Sequence, residues 1–196
     1  MGFLELLLSC IFVIIPLVIA IVLKLGLTKD ILIATIRSIV QLLIVGVILT
    51  FVFDADSSIY MLLMILVMIA AASQNVIKKG TRIPGIKWII ILTLTIIEIT
   101  TMAIMLTFGI LDFEPEQIIP VSGMIIGNCM VLSLLFVNKF TSELENGEEM
   151  IELILSFGGT PKDAVSLSLK SAIQKSMIPT IESQKTIGLV QLPGMM

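Results

Sequence analysis

Five long apolar runs occupy the first 137 residues of this chain, each close to the length a helix needs to cross a bilayer. A hydrocarbon core of ~30 Å takes roughly 20 apolar residues at 1.5 Å per residue. The runs are Phe3–Leu23, Ile31–Phe53, Ile59–Ile77, Ile86–Phe108 and Ile118–Val137. The hydrophobic fraction of 57% is far above the roughly 45–50% of a soluble domain. The predicted fold is therefore all-α: one polytopic transmembrane helical bundle over residues 1–196, with about five complete spans. A polar or amphipathic segment follows at 138–185, and a further apolar run starts at 186–196.

Histidine is absent. That removes the commonest general base, pH switch and metal ligand. Cys10 and Cys129 lie in separate apolar runs without CxxC spacing and read as reduced structural thiols. The first run carries Glu5, no basic leader and no small-x-small site before Lys24. It reads as a retained span rather than a secretory signal.

Charge sets the predicted orientation. Lys24 and Lys29 lie in the first connection, Lys78, Lys79, Arg82 and Lys87 around the third, and five lysines between Asn138 and Lys185. The second and fourth connections carry only acids: Asp54, Asp56, Asp112, Glu114 and Glu116. Basic loops stay in the cytoplasm during insertion. The N-terminus is thus predicted outside and 138–185 inside.

Within that segment, Glu143–Gly147 reads as a solvated acidic turn and Glu149–Phe157 as a short amphipathic helix. Gly158 and Gly159 break it. Thr160 as N-cap, Pro161 at N1 and Asp163 at N3 then start a second helix. That helix is predicted to reach about Met177, with Val165, Leu169, Ala172, Ile173 and Ser176 on one face and Pro179 beyond its end. Two amphipathic helices joined by a tight turn can lie on a membrane or enter a partner's groove. ABC transporters pass motion from ATPase to membrane subunit through such a segment. Their importer signature has an acid, a Gly six positions on, and a later I-x-LP. Glu152 and Gly158 have the first spacing, while Ile178-Pro179 falls farther on.

Three stretches resemble the Fet-type iron-export permease family, which extends to plant relatives tied to aluminium tolerance. They are Arg37–Leu49, with Arg37, Gln41 and Gly46 on motif positions; Val121–Leu134, with a Gly-Met-x-x-Gly-Asn pattern; and Leu155–Met196. The last ends in Leu192, Pro193, Gly194, Met195 and Met196, the family's entry to its next span. The resemblance implies an ABC permease subunit that pairs with a separate ATP-binding cassette protein. It also implies further spans after that motif. Eleven residues follow Lys185, so the expectation is a chain shortened at its C-terminus relative to the family.

Arg37 and Glu98 are charges inside apolar spans, where an unpaired charge costs ~2.5–3.5 kcal/mol or more. Arg37 lies ~9 Å and Glu98 ~18 Å from the cytoplasmic ends of their spans. They read either as an ion pair fixing the packing, with Arg37 alternatively reaching lipid phosphate, or as groups on the transport path. Gln41, Ser122 and Asn128 are further path candidates. Gly123 and Gly127 form GxxxG, which lets helices approach. Glu152, Gly158, Gly159, Thr160 and Pro161 are the ATPase-coupling candidates. Met124, Met130, Met195 and Met196 suit soft cations better than iron and read chiefly as packing residues, so the metal ligands are unknown.

The expected function is a multi-pass permease subunit of the bacterial inner membrane, exporting iron or another metal. No GxxxxGK[ST] occurs, so no enzyme activity and no cofactor of its own are expected; ATP is hydrolysed by the partner. The expected partners are the ATP-binding cassette protein, a second copy of the chain and the lipid bilayer, with no nucleic acid. A non-ABC carrier or channel, or an inactive membrane scaffold, are the alternatives. An intramembrane hydrolase is disfavoured, since neither HExxH nor GxSxG is present.

Overall fold

Apolar runs among the described residues become long helices here, and the break at 108–114 separates two of them. The computed structural model describes residues 15, 17–24, 26, 28–54, 58–79 and 85–186. Among these, six helices are bounded and no strand occurs: α1 (Thr28–Asp54), α2 (Ser58–Lys79), α3 (Ile86–Thr107), α4 (Pro115–Asn146), α5 (Glu148–Ser156) and α6 (Pro161–Thr186). α1 to α4 are long and apolar enough to cross a membrane. They correspond to the second to fifth predicted spans. Of the first, residues 17–22 are helical, and the remainder before them, apart from residue 15, lies outside the described residues.

The chain divides into two units at Ser57. In the first, α1 is apolar around most of its circumference and leaves Ile33, Leu42, Leu43 and Val47 exposed. Such a helix is covered by lipid or by other helices rather than by water. In the second unit, Ile69, Ala72 and Val76 of α2 pack with Ile86, Ile90 and Leu94 of α3 and Ile126 and Val137 of α4. The buried residues of α3 recur every fourth position, Ile86, Ile90, Leu94, Glu98 and Met102, so they share one face.

Residues 138–186 depart from the sequence reading in three ways. First, α4 does not stop at Val137. No Gly or Pro interrupts Asn138–Asn146, so the acidic stretch expected as a turn stays helical until Gly147. At 1.5 Å per residue the 32 residues of α4 reach ~48 Å, about 18 Å beyond a hydrocarbon core.

Second, the last helix does not stop near Met177. It runs through Pro179 to Thr186. A proline removes one backbone donor and strains the turn before it, but α6 is held along its length by α4. Third, the buried face of α6 is rotated from the expected one. It is Ala164, Ser168, Ala172 and Ser176, while Leu169 and Ile173 are exposed. Small residues at every fourth position let two helix backbones approach closely.

α6 runs antiparallel to α4. The Ser168 hydroxyl donates to the Glu143 carbonyl at 3.4 Å, and Lys175 pairs with the Glu143 carboxylate. Farther along, Ser176 and Met177 lie by Leu132, Ser133 and Phe136. Pro179, Thr180 and Gln184 then flank Asn128, Val131 and Leu135. The second half of α6, expected wholly in the cytoplasmic segment, therefore lies beside the fifth span.

Candidate functional site

Glu98 sits on the inward stripe of α3 and is only 3% exposed. On α4, Ser122 is fully buried. Its hydroxyl stands beside the Glu98 carboxylate, yet no hydrogen bond of proper geometry closes between them. Both carboxylate oxygens and Ser122 Oγ lack a hydrogen-bond partner among the described residues. Buried polar atoms are nearly always paired, because desolvation without a partner is costly. One residue on, a Cβ at Gly123 would meet Met68 Cε at 3.1 Å, so α2 and α4 are already close at this level. A Cβ at Gly127 would meet nothing within 4 Å, so the close approach suggested by GxxxG is made at Gly123 and not at Gly127.

Arg37 and Gln41 are exposed on α1, in the other unit. Among the described residues no three His, Cys, Asp or Glu side chains gather as a metal cluster. Met124 is exposed, and Met130 accepts a long contact from Asn75 Nδ2 at 3.7 Å. Cys129 is a half-buried free thiol. Cys10 and Leu192–Met196 lie outside the described residues.

Asn128 opens onto the groove between α4 and α6. The groove encloses about 510 Å³, and Thr180, Ser183 and Gln184 give it a polar wall. Sequence reading named Asn128 but missed its α6 partners, because it ended that helix before Pro179. The signal that could have found them is the small residue at every fourth position from Ala164 to Ser176.

The third feature is the α5–α6 turn. α5 buries none of its residues, and Met150, Leu153 and Phe157 are exposed, Phe157 by 84%. Gly158 adopts φ +82, a conformation in which a side chain is strained. Thr160 and Asp163 form a capping box. The Thr160 hydroxyl donates to Asp163 Oδ2 at 2.6 Å, the Thr160 N–H donates to the same oxygen at 3.2 Å, and the Asp163 N–H donates to Thr160 Oγ1 at 3.3 Å. These bonds hold the Asp163 carboxyl below its ordinary range. Glu152 is exposed on α5.

A profile described as "Uncharacterised protein family (UPF0014)" matches residues 3–196. The chain belongs to the UPF0014 family. It is 50% identical over 196 residues to the "UPF0014 membrane protein YjkA" of Bacillus subtilis, a match covering 100% of this chain and 78% of that protein. It is 38% identical over 173 residues to the Escherichia coli protein named "Probable iron export permease protein FetB", covering 88% of this chain and 67% of FetB. It is 30% identical over 173 residues to the rice "UPF0014 membrane protein STAR2", covering 88% of this chain and 61% of STAR2. No solved structure matches. With four membrane-length helices among its described residues, this UPF0014 chain is a multi-pass membrane protein.

Proposed function

We propose that this chain is the membrane-spanning permease subunit of an ABC transporter that exports iron or another metal ion, driven by a separate ATP-binding subunit. The observation that carries this reading is the α5–α6 turn. It is a capped helical elbow presenting Met150, Leu153 and an almost fully exposed Phe157. Exposed aromatic residues, Phe among them, are enriched where one protein docks on another, and this one stands at the head of an amphipathic hairpin of the kind that enters a partner's groove. The 38% identity to the protein named "Probable iron export permease protein FetB" supports the direction and cargo. ATP hydrolysis is assigned to the partner, and a pair of permease chains is proposed by analogy with ABC architecture.

The test is affinity purification of the chain, tagged at its N-terminus, from native membranes in mild detergent, with mass spectrometry of what accompanies it. An ATP-binding cassette protein is expected with the wild type and absent with Phe157→Glu, while both chains insert equally. Recovery of no such protein with the wild type rejects the ABC assembly. Equal recovery with Phe157→Glu removes the elbow from the contact.

A further inference from the structure

Among the described residues, the Glu98 carboxylate and the Ser122 hydroxyl have no hydrogen-bond partner. No Lys or Arg occurs between Ser58 and Ile77, between Trp88 and Leu111, or between Gln117 and Asn138. Glu98 is also the only acidic residue in those stretches, and Cys129 is their only thiol. On α6, which packs against α4, Lys175 and Lys185 are paired with Glu143 and Glu182. Lys162 and Lys170, toward its cytoplasmic half, are exposed. On the buried stripe of α3, between Leu94 and Met102 and at membrane depth, the carboxylate thus presents two oxygens, and Ser122 a third, none with a hydrogen-bond partner among the described residues.

We propose that the Glu98 carboxylate and the Ser122 hydroxyl form an intramembrane binding site for a divalent metal cation crossing the bilayer. The proposal rests on the metal-export reading for its role, and names the residues that meet the cargo. Oxygen donors select hard or borderline ions such as the manganous or ferrous ion, rather than the cuprous ion that thioethers prefer. Three oxygens are about half of the six that a small divalent cation takes. The remaining positions fall to water or to other groups. A shell left partly open suits transport, where binding must be strong enough to admit the ion and weak enough to release it. The cation supplies a positive charge that the membrane-depth stretches of α2 to α4 lack, so occupancy also relieves the cost of the buried carboxylate.

The experiment is manganese binding to the purified 196-residue chain in lipid nanodiscs, measured by equilibrium dialysis and elemental analysis, with Glu98→Gln and Ser122→Ala beside it. One ion per chain is expected for the wild type. Loss is expected with Glu98→Gln, and weakened binding with Ser122→Ala. Unchanged stoichiometry in Glu98→Gln overturns the site. Difference infrared spectroscopy keeps the question open to refutation if Glu98→Gln misfolds. Manganese should shift a carboxylate stretch of the wild-type chain. A neutral carboxyl band indifferent to manganese shows that a proton occupies the site, and a carboxylate indifferent to manganese shows pairing with a protein cation; either overturns the proposal. None of these readouts needs an ATPase. A chain that binds manganese but captures no ATP-binding subunit rejects the assembly and keeps the site, and the reverse pattern does the opposite.

Discussion

A Cβ added at Gly159 would stand 2.5 Å from Ile154 Cγ2 and 2.8 Å from Ile154 O. The second contact is with backbone, so a side-chain rotation cannot relieve it. Gly159→Ala is therefore expected to cost about 1–3 kcal/mol. Gly158 is different: its site is open, but φ is +82, so Gly158→Ala costs about 1–2 kcal/mol through backbone strain alone. Thermal unfolding in detergent should rank both below wild type; an unaffected Gly159→Ala would show that the turn opens freely. Asp163 governs the same elbow through pH. Its carboxyl is held low in the fold by the Thr160 hydroxyl and N–H. A depressed carboxyl adds stability above its unfolded value and loses it as pH falls through the folded one. The protection of amides in the first turn of α6 against hydrogen exchange, relative to their intrinsic rates, should therefore fall in acid, below the ordinary carboxylate range. Asp163→Asn should exchange faster already at neutral pH and lose most of that acid dependence.

At the scale of elements, α2, α3 and the apolar part of α4 were legible from hydropathy alone, since each apolar run has polar or Gly-Pro boundaries, whereas the polar extension of α4 to Asn146 was not. α6 was not. Its buried face is made of Ala and Ser, which carry little hydropathy, while its larger residues Leu167, Ile173, Met177 and Ile178 are exposed. A pattern search that rewards large apolar residues therefore selects the wrong face, and Pro179 gives a false stop. Glu98 was legible as a charge in an apolar run, and Ser122 as a polar residue in another. Their juxtaposition was not, because it depends on how α3 turns its stripe toward α4. The packing of α6 predicts a contrast between neighbours. Ala172→Leu puts bulk into a fully buried position against α4 and should cost about 1–3 kcal/mol. Ile173→Ala, at a residue 42% exposed, should stay within about 0.5 kcal/mol. Equal melting temperatures for the two variants would contradict the observed face.

Taken as a whole molecule in its membrane, the chain puts two physical rules in tension over α6. Charge asymmetry predicts that the chain after the fifth span is cytoplasmic, so a reporter fused after Asn146 should be cytoplasmic and one after Asp56 external. Packing brings Pro179 to Gln184 back beside Asn128 and Leu135, well within that span. A polar helix at such depth is tolerated only where protein or a water-filled groove faces it, because lipid cannot satisfy its polar groups. Both rules are met if α6 starts in cytoplasmic water and re-enters beside α4, its Ala and Ser stripe against protein and Thr180 on the polar groove. Single cysteines in an otherwise cysteine-free chain test this. With a membrane-impermeant maleimide added from the cytoplasmic side, Lys162→Cys should label rapidly. Thr180→Cys should label much more slowly, and faster if the groove is widened by Leu135→Ala. Equal rates at Lys162→Cys and Thr180→Cys would place all of α6 in bulk water and break the alignment with α4. Rapid labelling of both from the external side would invert the topology.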